Sequence, residues 1–191
     1  MYTKHPGKQQ QNSGRGSGDG ERGRALRWLP LAALAMALAA PALTVADNPA
    51  LQLVGEARLK VLLWSVYDSR LYTPDGDYRE GQRPLRMEIE YLLDIESAKL
   101  VERTAQEWRA MGRSHPAEDA WLERLGALWP DIDSGDVIAL ELDADNQATF
   151  FHNGDKLGNL EHPEFGQQFI DIWLSPDTTR PELRLALLGK D

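Results

Sequence analysis

The sequence predicts an α+β domain, an antiparallel sheet with helices packed on one face, and three observations lead there. Strand-like runs fall in two groups, residues 51–92 and 137–157, joined by short turns. Two amphipathic helical patterns lie between the groups rather than alternating with single strands, which argues against a parallel βαβ arrangement. The pair Asn153-Gly154, the strongest local hairpin signal in the chain, is followed by an apolar helix that needs a sheet to lie on.

In chain order, residues 51–54 and 57–66 read as strands, with Gly55 as a bend or bulge between them. Ala57, Leu59, Val61 and Leu63 share one face of the second run, and Arg58 and Lys60 lead into Leu62 and Trp64 on the other. Residues 66–73 continue as strand with a break expected near Asp68 or Ser69, and Pro74-Asp75-Gly76-Asp77 closes the run as a turn. Residues 85–92 alternate most cleanly: Leu85, Met87, Ile89 and Tyr91 against Arg86, Glu88 and Glu90, an antiparallel strand with one wet face.

Asp94 is a candidate cap for a helix with the stripe Leu100, Val101, Thr104, Trp108 and Met111, ended by Gly112. A second helix is expected from Ser114, with Pro116 and Glu118 in its first turn and Trp121, Leu122, Leu125 and Leu128 as its apolar side. Residues 137–142 form a strand, 143–147 turn, and the Asn153-Gly154 hairpin follows, its turn residues tolerating the positive φ of a tight connection. Phe165, Phe169, Ile172 and Trp173 recur at helical spacing, and residues 181–188 make a last short helix stopped by Gly189.

The first 46 of 191 residues read differently. Arg22, Arg24 and Arg27 precede an uncharged, Ala- and Leu-rich run from 29 to 46 with small-residue exits, the pattern of a signal peptide with a long n-region cleaved after Ala46. The run is too weakly apolar to favour the rival reading, a retained span, which needs about 20 strongly apolar residues. The expectation is a single domain over 47–191, periplasmic or secreted, with no stable membrane insertion of the mature chain. Residues 47–191 carry 15 Lys and Arg against 28 Asp and Glu, a charge of −13, which disfavours nucleic acid or an anionic membrane surface as partner. No cysteine is present, which excludes disulfides, thiolate metal sites and a cysteine nucleophile.

Gly55-Glu-Ala-Arg58, Leu62-Leu-Trp-Ser-Val-Tyr-Asp-Ser-Arg-Leu-Tyr72, Tyr91-Leu-Leu-Asp-Ile95, Phe151-His-Asn-Gly154 with Leu157-Gly158, and Phe165 through Leu174 together resemble the bacterial exported branch of the chalcone isomerase-like family. The resemblance spans residues 51–189, its specificity residing in the order and spacing of short motifs. It implies an open-faced sandwich of a large antiparallel β-sheet with a layer of helices. It also implies an apolar cleft between sheet and helices, where plant members cyclise a chalcone and non-catalytic relatives bind fatty acids. Arg58 falls where the family places an early-strand arginine. The plant enzymes use a tyrosine and an asparagine on the first helix after the long strand, and residues 98–106 contain neither.

Three residues are therefore candidate ligand contacts. A guanidinium at Arg58 facing the cleft grips a carboxylate or phenolate through its fork of donors. Tyr72 and Tyr91, with Tyr67 beside them, offer hydroxyls at the edge of an apolar site. His152, before the hairpin turn, is a candidate base, against which stands its place beside a solvated turn. His115, His152 and His162 lack metal-ligand spacing, and the Asp131, Asp133 and Asp136 turn lacks the closing glutamate of a calcium loop, so neither metal nor cofactor is expected. The expected function is a non-catalytic binder of a small amphipathic ligand such as a fatty acid. Alternatives are an isomerase or intramolecular lyase acting on a chalcone-like enone, and an accessory protein with a closed cleft.

Overall fold

The computed structural model describes residues 50–190. The expected leader, its cleavage point after Ala46 and the first residues of the expected domain lie outside the described residues. Six strands form one antiparallel meander in chain order: β1 (Gln52–Val61), β2 (Trp64–Thr73), β3 (Leu85–Tyr91), β4 (Val137–Leu142), β5 (Ala148–His152) and β6 (Asp155–Leu160). Helices α1 (Ser97–Ala110) and α2 (Glu118–Leu128) are inserted between β3 and β4, and α3 (Phe165–Leu174) and α4 (Pro181–Leu187) follow β6. This is the α+β architecture that the grouping of the patterns predicts.

The alternation of β3 sets the two faces of the sheet. Leu85, Met87, Ile89 and Tyr91 are buried, and register carries the same face through Leu71 and Ser69 on β2, Leu140 and Ile138 on β4, and Phe150 on β5. Against it pack Trp108 of α1, Trp121 and Leu125 of α2, and Phe165, Phe169 and Ile172 of α3. The aromatic rings meet edge to face, Trp108 to Trp121 at 6.0 Å and Phe150 to Phe169 at 5.4 Å, a preferred geometry for quadrupolar rings. Burying a single ring of this size is worth roughly 3 kcal/mol. This aromatic layer supplies what a cysteine-free domain has in place of crosslinks.

The opposite face is wet and self-neutralised. Arg86 bridges Glu88 at 2.8 Å and Glu141 at 2.6 Å, and Arg70 reaches Glu90 at 3.0 Å. Such partly exposed pairs contribute well under about 1 kcal/mol each; they keep this face soluble.

Four local expectations are corrected. Residues 57–66 are not one strand: Val61 pairs with Trp64, so Leu62 and Leu63 form a two-residue turn with Leu62 at φ 56°. Continuous hydrophobicity hid the turn, because no Gly, Asn or Pro marks it. The break expected near Asp68 or Ser69 is absent, and β2 runs through it; the register shifts instead at Val54 on β1 and at Val66 on β2, each left without a Cα partner. Asp94 does not cap α1; the Asp131 carboxylate accepts the Ser97 N–H at 2.8 Å, and Asp94 accepts from Ser134. The second helix begins at Glu118, four residues later than the Ser114 start expected, after a turn closed by Glu118 N–H to His115 O.

Gly55 marks a close approach. A Cβ there would lie 2.3 Å from the Ala186 carbonyl oxygen, so the absence of a side chain lets α4 sit directly on β1.

Candidate functional site

Between the inner sheet face and helices α1 and α3 lies a cavity of about 80 Å³, lined by apolar groups from β3, β4 and β5 below and from Leu100, Phe169, Ile172 and Trp173 above. Its polar lining is sparse: Tyr67, Tyr91, Thr104, Glu107 and the indoles of Trp129 and Trp173. An apolar chamber with a few convergent polar groups is the usual form of a small-molecule site.

Tyr67 and Tyr91 face each other across β2 and β3, rings edge to face at 6.0 Å. The Tyr67 hydroxyl accepts a hydrogen bond from Trp173 Nε1 at 3.0 Å, joining sheet to α3 over the cavity. Burial pushes the Tyr67 phenol up to about 12, and burial raises Tyr91 further still. Both are neutral hydrogen-bonding groups at any physiological pH.

Glu107 is a charged residue on the apolar stripe of α1 and is only 8% exposed. Arg103, one turn earlier, donates to it, and Thr179 Oγ1 donates at 2.6 Å. Arg103 and Arg180 lie close enough to Tyr67 to ease ionisation of its phenol. Arg180 has no ion-pair partner among the described residues. Arg103 and Glu107 neutralise each other at this end of the cavity, and neither Arg103 nor Arg180 lines it. Thr104 spends its hydroxyl on the Leu100 carbonyl at 3.0 Å. Trp129 lines the cavity with a buried indole N–H that has no hydrogen-bond partner among the described residues.

Of the three candidate contacts, Tyr91 lines this cavity, and Arg58 and Tyr72 do not. The Arg58 side chain is 51% exposed on the wet face, its Nε and Nη2 each 2.6 Å from an Asp68 carboxylate oxygen. The Tyr72 hydroxyl donates to Glu88 at 3.2 Å on the same face. Alternation explains both: Ala57 and Leu71 point inward, so their neighbours Arg58 and Tyr72 point out. The cleft-facing reading of Arg58 placed Leu62 and Trp64 on its face, and those two belong to the hairpin end instead. On the wet face Arg58 lines, with Glu56, Asp68 and Arg70, an open polar hollow of about 280 Å³, and it holds Asp68 below the usual carboxylate range.

His152 Nε2 lies 3.0 Å from the Asp136 carboxylate, which also accepts from Asn153 Nδ2 at 2.8 Å. The Asn153 hydrogen bond first, then the Asp133 N–H and His152, bring Asp136 down to about 2. The group fastens the β5–β6 turn to the start of β4, away from the cavity. Glu107 was legible only as an anomaly, an acid three residues after Thr104 on an otherwise apolar stripe; nothing local marks Arg180.

The architecture is an antiparallel sheet layered with helices around an apolar chamber that holds a tyrosine pair. Residues 35–189 match the model of the chalcone isomerase-like family, and the chain belongs to that family. An uncharacterized protein of Haemophilus influenzae is 28% identical over 139 residues, 73% of this chain and 68% of that protein. Among solved structures, the Arabidopsis thaliana fatty-acid binding protein AtFAP1 superposes with a TM-score of 0.54 at 14% identity, covering 72% of this chain and 86% of that one. At that identity the likeness shows the shared fold.

Proposed function

We propose that this protein is an exported, non-catalytic binder of a small amphipathic ligand with an anionic head, a fatty acid being the simplest example. The observation that carries the reading is the apolar chamber whose few polar groups include Tyr67, Tyr91 and a Glu107 already paired with Arg103, with Arg180, unpaired among the described residues, near enough to Tyr67 to act on its phenol. The fatty-acid binding of a fold relative supports the ligand class. The acyl chain lies toward Met87, Leu140 and Phe150, and the head sits beside Tyr67 and Arg180. Tyr91 keeps the role expected of it; the anchoring charge passes from Arg58 to Arg180.

The chamber of about 80 Å³ is smaller than the roughly 300 Å³ at which ligand sites usually begin. Binding therefore widens it, and the Tyr67–Trp173 hydrogen bond is the contact that must lengthen or break. A closed chamber is also what an accessory role would show. Thermal melts with fatty acids of medium and long chain length separate the two. The wild type should be stabilised by about 2.7 kcal/mol at a hundredfold excess over Kd, Arg180→Gln clearly less, and Arg58→Gln as much as wild type. No shift at any chain length favours the accessory reading. Flavanone formation from a chalcone in the same samples tests the isomerase alternative, with a rate no better than buffer expected.

Export is part of the proposal, supported by the basic flank, the uncharged run from 29 to 46 and its small-residue exit. N-terminal sequencing of protein from a periplasmic extract should read from Asp47; recovery only from membranes, with residues 29–46 intact, overturns it.

A further inference from the structure

The β1–β2 hairpin ends in the largest exposed apolar group among the described residues, and nothing in the fold accounts for it. Val61, Leu62, Leu63 and Trp64 are contiguous and 44%, 92%, 97% and 68% exposed. Leu62 has φ 56°, a left-handed conformation that suits Gly or Asn and strains a bulky side chain. A turn that served only folding would carry a small polar residue there. Here both backbone preference and solvation are set against the residue present, and no packing inside the domain offsets either.

The tip also projects. Pairing of β2 with β3 begins at Tyr67 opposite Tyr91, but pairing with β1 continues to Trp64 opposite Val61. The Leu92 N–H still donates to the Val66 carbonyl at 2.9 Å, so Trp64 and Ser65 carry the two-stranded ribbon and its turn about 7 Å beyond, at about 3.3 Å per residue. From Leu59 to Tyr67 no acid occurs in an otherwise acidic chain, and Lys60 flanks the tip without an ion-pair partner among the described residues.

We propose that this hairpin tip docks on a zwitterionic lipid bilayer, inserting Leu62 and Leu63 below the headgroups with Trp64 at the interface. A narrow convex wedge with two almost fully free leucines finds little complementary area on a flat protein surface, whereas a deformable bilayer buries it completely. Its length matches the roughly 5–10 Å depth to which peripheral apolar elements enter the headgroup region. A tryptophan beside the leucines and a lysine whose stem reaches back to water are the side chains such an interface favours. Asp94, Asp133 and Asp136 gather at the same end of the sheet, at the close of β3 and the start of β4, which turns the preference from anionic toward neutral lipid. Tyr67, three residues from Trp64, lines the cavity, so docking brings the chamber close to the lipid surface. The docking stands whether or not the chamber takes a ligand.

The test uses the chain from Asp47 onward and vesicles of phosphatidylcholine brominated near the headgroup. Emission due to Trp64, obtained as the difference between wild type and Trp64→Phe, should be quenched by the brominated lipid. In Leu62→Asn with Leu63→Ser, which suits the turn and should leave the melting midpoint no lower, partition through the tip should weaken at least tenfold, since two leucine side chains no longer leave water. Adding anionic lipid should weaken rather than strengthen the quenching. Unquenched Trp64 emission overturns the proposal even if the chain sediments with vesicles. Tip-dependent self-association without lipid quenching replaces it with an interface between copies. Trp64 shielded from iodide in the absence of vesicles replaces it with a cover from the same chain.

Discussion

Trp173 Nε1 donates to the Tyr67 hydroxyl at 3.0 Å, and this bond ties β2 to α3 across residues more than a hundred positions apart in the chain. It closes the side of the chamber next to the polar end. Removing it from either side has unequal consequences, because each partner leaves a different buried group behind.

Tyr67→Phe strands the Trp173 N–H and should lower stability by about 1–3 kcal/mol, and Trp173→Phe, which leaves a hydroxyl able to turn elsewhere, by about 1 kcal/mol beyond its packing loss. Urea unfolding of both variants and of the double variant measures the coupling. A coupling of zero would mean that the bond does not hold in solution.

The same tyrosine gives a pH dependence. Its folded value is raised to about 12 from an unfolded 10, so the folded state holds a proton that the unfolded state releases. The associated stability is complete below pH 10 and is lost as pH rises from 10 through 12, by up to about 3 kcal/mol. Tyr91, raised in the same sense, steepens the loss. Melting midpoints of wild type and Tyr67→Phe between pH 9 and 12 should converge as pH rises, and parallel curves refute the assignment.

Asn153 and Gly154 have φ 51° and 90°. Asn153 further accepts the Val137 N–H at 2.9 Å and holds Asp136. Replacing the pair by Ala-Val imposes about 1–3 kcal/mol of backbone strain and frees the start of β4. A denaturant midpoint well below wild type is expected; an unchanged one is incompatible with this turn.

Gly55→Ala places a methyl 2.3 Å from a backbone oxygen of α4, which cannot rotate away as a side chain would. The expected cost is about 1–3 kcal/mol, with amide exchange accelerated in α4 and β1 rather than in α2. Uniform acceleration would show that α4 is not a separately displaceable element.

Local pattern determined much of this protein. The alternation in residues 85–92, the Asn153-Gly154 turn and the spacing of Phe165, Phe169 and Trp173 each encode an element by the period of its own side chains, and their order identifies the sandwich and the family. The inward face of β3 was legible too, which is why Tyr91 was placed correctly against the helices. Only tertiary structure decided where the ends of elements fall and which face meets the cavity. In residues 57–66 an unbroken apolar run conceals a turn, because hydrophobicity records how much a side chain avoids water and not whether the fold covers it. Arg58 followed from that: the phase of β1 relative to the core is set by pairing with Asp68 and Ser69, ten residues on and beyond the turn. Glu107 of α1 meets Thr179 at the entry to α4 beside the chamber, a long-range contact that no short window of sequence contains.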